Sequence, residues 1–254
     1  MLRTLFPILA TLVLVLAGLV HGPIAQLPNY HAFADQARHF GIPHFADVVS
    51  NFGFLLVGLW GFVRIAPYRE EVALAHGWPG YRLFLSGLLL TSIGSTFYHL
   101  APDDARLVWD RLPIALVCAG LLAGVWGDTH QRDGRVLTLV LAGLAVASVA
   151  WWWFTGLTGI GDLRPYLLLQ ALPIVLVPIW QWGGNRRDRV YFGLALLLYG
   201  VAKLAELNDH LIGSVLCLTG HTLKHLLATL AAASIVAGLE LRIAHAVAFV
   251  PEQR

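Results

Sequence analysis

The chain contains few charged residues. Only 13% of its 254 residues are Asp, Glu, Lys or Arg, whereas 57% are hydrophobic and the mean hydropathy is +0.69. These values exclude a soluble globular protein and a disordered chain. The formal net charge of +2 leaves no basic surface for nucleic acid. Only two cysteines are present, Cys118 and Cys217, which excludes a disulfide scaffold and a four-cysteine zinc site. The composition instead predicts a polytopic membrane protein.

Long apolar stretches supply the spans of such a protein. A helix needs about 20 apolar residues to cross a bilayer, and the chain has eight candidates: roughly Leu5–Val20, Asp47–Ile65, Leu83–His99, Trp109–Gly127, Val136–Phe154, Pro165–Trp182, Val190–Leu204 and Leu216–Leu239. We predict an all-α polytopic membrane protein with a seven-transmembrane-helix core, forming one domain over residues 26–254. Residues 1–25 form an additional N-terminal hydrophobic segment, interpreted as a signal peptide or an extra helix.

The arginines predict which loops face the cytoplasm, because cytoplasmic loops carry an excess of them. Counted across alternate loops, ten fall on one side and four on the other. The ten are Arg64, Arg69, Arg82, Arg132, Arg135, Arg186, Arg187, Arg189, Arg242 and Arg254, and the four are Arg38, Arg106, Arg111 and Arg164. We expect a multi-pass integral membrane protein with a cytoplasmic carboxyl terminus.

Three short polar patterns interrupt the apolar spans near their extracytoplasmic ends. Ser95 and His99 are four residues apart, so they share a face of a helix. Asp110 opens the next span after a short loop, and His221 and His225, again four apart, lie in the last span. Polar side chains are costly inside a membrane, so five at a similar depth indicate a functional site on the extracytoplasmic side.

The residue types in this pattern favour a metal site. Three imidazoles from two helices match the protein ligands of a catalytic zinc, which keeps a position for water. The predicted ligands are His99, His221 and His225. Asp110 is then available to orient or deprotonate the bound water, and Ser95 to hydrogen-bond the oxyanion. The chemistry implied is metal-assisted hydrolysis of a lipid ester or amide.

Other polar residues have simpler interpretations. Asn51, Glu206 and Asp209 lie near helix ends, where we expect solvated interfacial side chains. Cys217, four residues before His221, is an extra candidate ligand, although a buried structural thiol is commoner. Seven further histidines are expected to be solvated or interfacial, namely His21, His31, His39, His44, His76, His130 and His245.

The same residues resemble a known family. Ser-x-x-x-His followed eleven residues later by Asp, and a final-helix His-x-x-x-His, resemble the alkaline ceramidases; here these residues are Ser95, His99, Asp110, His221 and His225. Those enzymes belong to the CREST superfamily of seven-helix membrane hydrolases, together with adiponectin-type receptors and hydrolases that remodel GPI lipids. The resemblance extends from about Tyr30 to Leu239.

The resemblance implies a zinc-dependent amidase. It would cleave ceramide or a related N-acyl lipid of the membrane to a fatty acid and a sphingoid-type base, through a zinc-activated water. It assigns the zinc to the three histidines, and catalysis to Asp110 and Ser95. Ceramidases also bind calcium through an acidic, Trp-containing amino-terminal segment. The stretch His31–His44 has only Asp35 as an acid and no Trp, so calcium is not expected.

Two other functions stay open at this point. One is a lipid-sensing, receptor-like protein of the same architecture with a structural zinc. The other is a membrane cytochrome that uses His pairs as axial haem ligands.

Overall fold

The computed structural model describes residues 2–248, and this part of the chain is helical with no β-strand. Its ten α-helices are α1 (Leu2–His21), α2 (Phe45–Ser50), α3 (Phe52–Ile65), α4 (Trp78–Leu100), α5 (Asp104–His130), α6 (Arg135–Leu157), α7 (Arg164–Gln181), α8 (Arg186–Leu207), α9 (Asp209–Val215) and α10 (Gly220–Ala248). The predicted all-α fold is confirmed.

Six segments of the described chain are long and apolar enough to cross a membrane: Phe45–Tyr68, Trp78–Leu100, Asp104–His130, Arg135–Leu157, Arg186–Leu207 and Gly220–Ala248. The chain is thus a multi-pass membrane protein. The remaining core helix, α7, has 18 residues and includes Gln170 and Gln181. It nevertheless packs against α5, α6 and α8 within the same bundle, and the N-terminal helix α1 packs against it from outside.

Glycines bring α4 and α5 into close contact. Gly80, Gly87 and Gly94 recur every seven residues of α4 and face α5. A Cβ atom on Gly94 would lie 2.0 Å from the carbonyl oxygen of Trp109, and one on Gly80 would lie 2.1 Å from the backbone nitrogen of Gly124. Small residues permit such approach between membrane helices. This packing sets the end of α4 beside the start of α5, where the predicted site residues lie.

The last helix begins later than the sequence predicts. Residues 216–219 are not helical, and α10 starts at Gly220. A Cβ atom on Gly220 would lie 2.2 Å from the carbonyl oxygen of Ala205 at the end of α8, so the chain turns there in close contact. The Asp209 carboxylate then accepts a hydrogen bond from the His221 amide at 2.8 Å, which satisfies one free donor of the first turn.

The connector between α1 and α2 is anchored at its start by Asp162, in the loop before α7. The Asp162 carboxylate accepts hydrogen bonds from the Ile24 amide at 3.2 Å and the Trp151 indole at 3.0 Å, and forms an ion pair with Arg164. Burial alone would raise the pKa of Asp162, but the hydrogen bonds from Arg164 and Trp151 outweigh it and hold the pKa below its usual range. This contact keeps the connector over the helix ends that carry the site.

The opposite end of the bundle has a separate ion cluster. Arg242 of α10 forms ion pairs with Asp128 of α5 and Asp188 of α8, and the Tyr81 hydroxyl donates to Asp128 at 2.5 Å. Arg242 and Arg111 therefore lie inside the bundle rather than in loops, and Arg254 lies outside the described residues. When Arg111 and Arg242 are left out, the arginines counted in the sequence divide nine against three, and the orientation stays a prediction.

Candidate metal centre and its cavity

The structure brings the three predicted ligands together. His99 lies in the last turn of α4, and His221 and His225 occupy the first two turns of α10. The ring centroids are 4.8 Å apart for His99 and His221, 5.1 Å for His99 and His225, and 4.8 Å for His221 and His225. One nitrogen from each ring lies within 4.8 Å of the others, and within residues 2–248 these three form the only such group of His, Cys, Asp and Glu. All three are buried, with exposures of 1%, 4% and 2%.

The surroundings of His225 and His99 leave imidazole nitrogens free for a metal. Ser50 Oγ donates its proton to the carbonyl of Asp47 and therefore accepts from His225 Nδ1, 2.8 Å away. We infer that His225 carries its proton on Nδ1 and presents the lone pair of Nε2, an arrangement that orients metal-binding histidines. His99 Nδ1 is buried with no hydrogen-bond partner. A buried, unpartnered nitrogen in a cluster of imidazoles fits a metal site.

The third ligand has a cationic neighbour. Lys224 Nζ lies 3.1 Å from His221 Nε2 and 2.9 Å from Glu206, which also pairs with Lys203 at 2.9 Å. The lysine donates to the imidazole nitrogen in this arrangement. A metal ion held by that nitrogen would displace the ammonium, which would keep Glu206 as its partner.

The two predicted catalytic residues face the same cavity. Ser95 and Asp110 are 1% and 5% exposed, and both line the cavity together with His221 and His225. The Ser95 hydroxyl has no hydrogen-bond partner among the described residues, and the Asp110 carboxyl lies beside it. Four of the five predicted side chains thus line one cavity, and the fifth, His99, packs against two of them, His221 and His225.

The cavity itself is large and mostly apolar. Its volume is about 700 Å³, and apolar residues such as Phe84, Leu88, Leu121 and Ile235 line it away from the histidines. Ligand pockets for small molecules occupy about 300–1,000 Å³. The site therefore combines a small polar group with room for a long apolar ligand.

Sequence reasoning missed several residues of the site. Phe33, in the connector, packs its ring on His99 and His221 at centroid distances of 4.7 and 4.5 Å. Asp47 accepts a 2.5 Å hydrogen bond from Thr222, which ties the first core span to α10. Asp47 is an acid inside an apolar stretch, a signal that was present in the sequence; Phe33 had none.

Four expectations about the surrounding residues are wrong. Asn51 is fully buried, Glu206 forms the two lysine pairs, and Asp209 binds the backbone of α10 and of the connector, so none of them is simply solvated. Cys217 is exposed and precedes α10, so it neither continues the ligand face nor acts as a buried thiol. The late start of α10 explains the last error.

Of the other seven predicted histidines, three are exposed (His21, His39 and His245) and four are partly buried (His31, His44, His76 and His130). His31 is partly buried, 2.9 Å from the Tyr98 hydroxyl and 3.0 Å from Asp104. These contacts attach the connector to both α4 and α5. His31 is thus a structural residue close to the site.

Comparisons of the chain with protein-family models, with curated proteins and with solved structures give no match. The residues of the site therefore carry the functional proposal below.

The Ser50 contact leads to a testable prediction. Ser50→Ala removes the acceptor that orients His225, so zinc affinity is expected to fall by about 10–100-fold. Ser214→Ala is the matched control, since Ser214 is exposed and bonds only to the carbonyl of Leu211. Zinc competition with a calibrated chelator measures both variants. Equal affinity in Ser50→Ala and Ser214→Ala would contradict the orienting role.

Proposed function

We propose that the chain is a membrane zinc-dependent amidase that hydrolyses ceramide or a related N-acyl lipid. The observation that carries this proposal is the group of three converging, buried imidazoles at the wall of a cavity. Structural zinc sites are closed by four protein ligands, whereas catalytic sites have three and keep one position open. A three-histidine group beside a cavity favours catalysis over the receptor-like alternative.

The side chains around the histidines suit hydrolysis of an amide. When bound, zinc supplies a Lewis acid that polarises the amide carbonyl and lowers the pKa of water. Asp110 takes the proton of the attacking water at its carboxylate and returns it to the leaving nitrogen. Ser95 Oγ donates a hydrogen bond to the carbonyl oxygen as negative charge develops there. Water adds across the C–N bond, and the products are a fatty acid and an amine.

The apolar part of the cavity supports a lipid substrate. An acyl chain can occupy the space beside Phe84, Leu88 and Leu121 while its amide reaches the histidines. Burying each methylene contributes about 0.8 kcal/mol. The resemblance of the residue spacing to alkaline ceramidases points to the same substrate class.

Fatty-acid release tests the proposal. Detergent-purified, zinc-loaded protein is incubated with ceramide, other N-acyl lipids and O-acyl lipids, and the released acid is quantified. We expect hydrolysis of at least one N-acyl lipid, and much less in Asp110→Asn than in the control Asp133→Asn, whose residue is exposed. No release from any N-acyl lipid would contradict the amidase. A Soret absorption band in the same preparation would favour the haem alternative.

The native cysteines test the proposed extracytoplasmic position of the site. Cys217 is exposed beside the start of α10, whereas Cys118 is buried. We expect a membrane-impermeant maleimide to label Cys217 in intact cells, and Cys217→Ser to abolish the labelling. Labelling that requires permeabilised cells would reverse the orientation derived from the arginines.

A further inference from the structure

Arg111 is a buried cation in the wall of the cavity. It directly follows Asp110 in α5, is 2% exposed and lines the cavity. Its guanidinium carbon lies 4.0 Å from the ring centroid of Trp152, 5.0 Å from that of Tyr30 and 5.5 Å from that of Tyr166. Three aromatic rings therefore hold the side chain in place.

The guanidinium lacks hydrogen-bond acceptors. Arg111 Nε and Nη1 are buried with no partner, and no carboxylate of residues 2–248 forms an ion pair with Arg111. Aromatic faces attract a cation, but they do not replace the oxygen acceptors that a guanidinium fork binds. Arg242, which is partly buried, forms ion pairs with two carboxylates. Because an unpaired buried charge is costly, Arg111 indicates a ligand that brings its own anion.

Two of the rings that surround Arg111 lie on helices that carry none of the three histidines. Its aromatic neighbours Trp152 and Tyr166 belong to α6 and α7, whereas the histidines belong to α4 and α10. The cavity is lined by Tyr166 of α7 as well as by His221 and His225 of α10. In the proposed reaction the carboxylate of the released fatty acid forms beside the histidines, so a second anionic group would come from another part of the lipid.

We propose that Arg111 binds an anionic headgroup, a carboxylate or phosphate, of the N-acyl lipid substrate. This inference rests on the proposed function and narrows it to N-acyl lipids with a charged head rather than neutral ceramide. The planar guanidinium fork matches the paired oxygens of a carboxylate or phosphate.

Two lipids of nearly equal shape test the charge requirement. N-oleoylglycine carries a carboxylate where N-oleoylethanolamine carries a hydroxymethyl group. A third lipid, the phosphate ester of N-oleoylethanolamine, tests whether the anion is a phosphate. We expect Arg111→Met to lower kcat/KM by about 10²-fold on one or both charged lipids and by no more than about threefold on the neutral one. Arg111→Lys, which keeps the charge without the fork, should lie between the wild type and Arg111→Met. Arg38→Met is the control, because Arg38 is exposed.

Binding to zinc-free protein separates this inference from the catalytic proposal. Radiolabelled N-oleoylglycine, its neutral analogue and the phosphate ester are bound to detergent-solubilised wild type and Arg111→Met. We expect the variant to lose affinity for a charged lipid only. If the variant loses this affinity and the wild type hydrolyses none of the lipids, the amidase proposal is rejected and the anion site is retained. A different result would be that Arg111→Met loses hydrolysis and affinity equally for charged and neutral lipids, or loses neither. Either result would overturn the role of Arg111 and leave the amidase proposal standing.

Discussion

Asp110→Asn is expected to lower kcat for fatty-acid release by about 10²–10⁴-fold while zinc content stays unchanged. The substitution keeps the volume of the buried side chain and removes its capacity to take a proton. Asp110 is not one of the three residues that form the ligand group, so the metal should remain. Turnover and zinc content are measured on the same preparation. Near-normal turnover with zinc present would exclude Asp110 from the mechanism.

Ser95→Ala supplies the contrast to that variant. Losing one donor to the carbonyl oxygen is expected to lower kcat by about 10²–10³-fold, again with zinc retained. The two variants differ in their pH–rate profiles. Loss of the base at Asp110 alters the shape of the profile, whereas loss of the donor at Ser95 lowers it without moving its limbs.

The second large effect concerns the metal. Purified wild-type protein should contain about one zinc per chain, His221→Ala and His225→Ala should contain essentially none, and His99→Ala should bind zinc much more weakly. Two imidazoles do not hold the ion adequately in a buried cavity. His39→Ala is the control, since His39 is exposed. Full occupancy in all three ligand variants, measured by metal analysis after dialysis, would contradict the assignment.

The sequence predicted the site because its chemistry is unusual for a membrane interior. His99, His221 and His225 are polar residues at helical spacing within apolar stretches, and the structure brings them within 5.1 Å of one another as ring centroids. Six of the eight predicted apolar stretches also correspond to helices long and apolar enough to cross a membrane. The spacing of four residues predicted that two side chains share a face of one helix. Their similar depth in the membrane predicted that side chains from different helices belong to one site.

The supporting residues were harder to predict because their partners are distant in sequence. Ser50 and His225 are 175 positions apart, and Asp209 reaches His221 only because the chain turns at Gly220. The sequence did contain one indication that Glu206 forms ion pairs. The chain has only two lysines, Lys203 and Lys224, and both pair with that residue.

Arg111 shows the limit of counting charges. The sequence places it near a helix end, so it enters the topology count as a loop residue. The structure places it among three aromatic rings, and two of them belong to α6 and α7. Periodicity does not reveal which aromatic side chains from later helices will surround a given arginine.

X-ray absorption at the zinc edge of the purified protein tests the central claim most directly. We predict one zinc bound by three imidazole nitrogens and one oxygen of water, all at about 2.0–2.1 Å, with no sulfur at about 2.3 Å. The imidazole signal should disappear with the zinc in His221→Ala. A zinc held by four protein ligands, or one with a sulfur ligand, would contradict the open three-histidine centre on which the proposed hydrolysis depends.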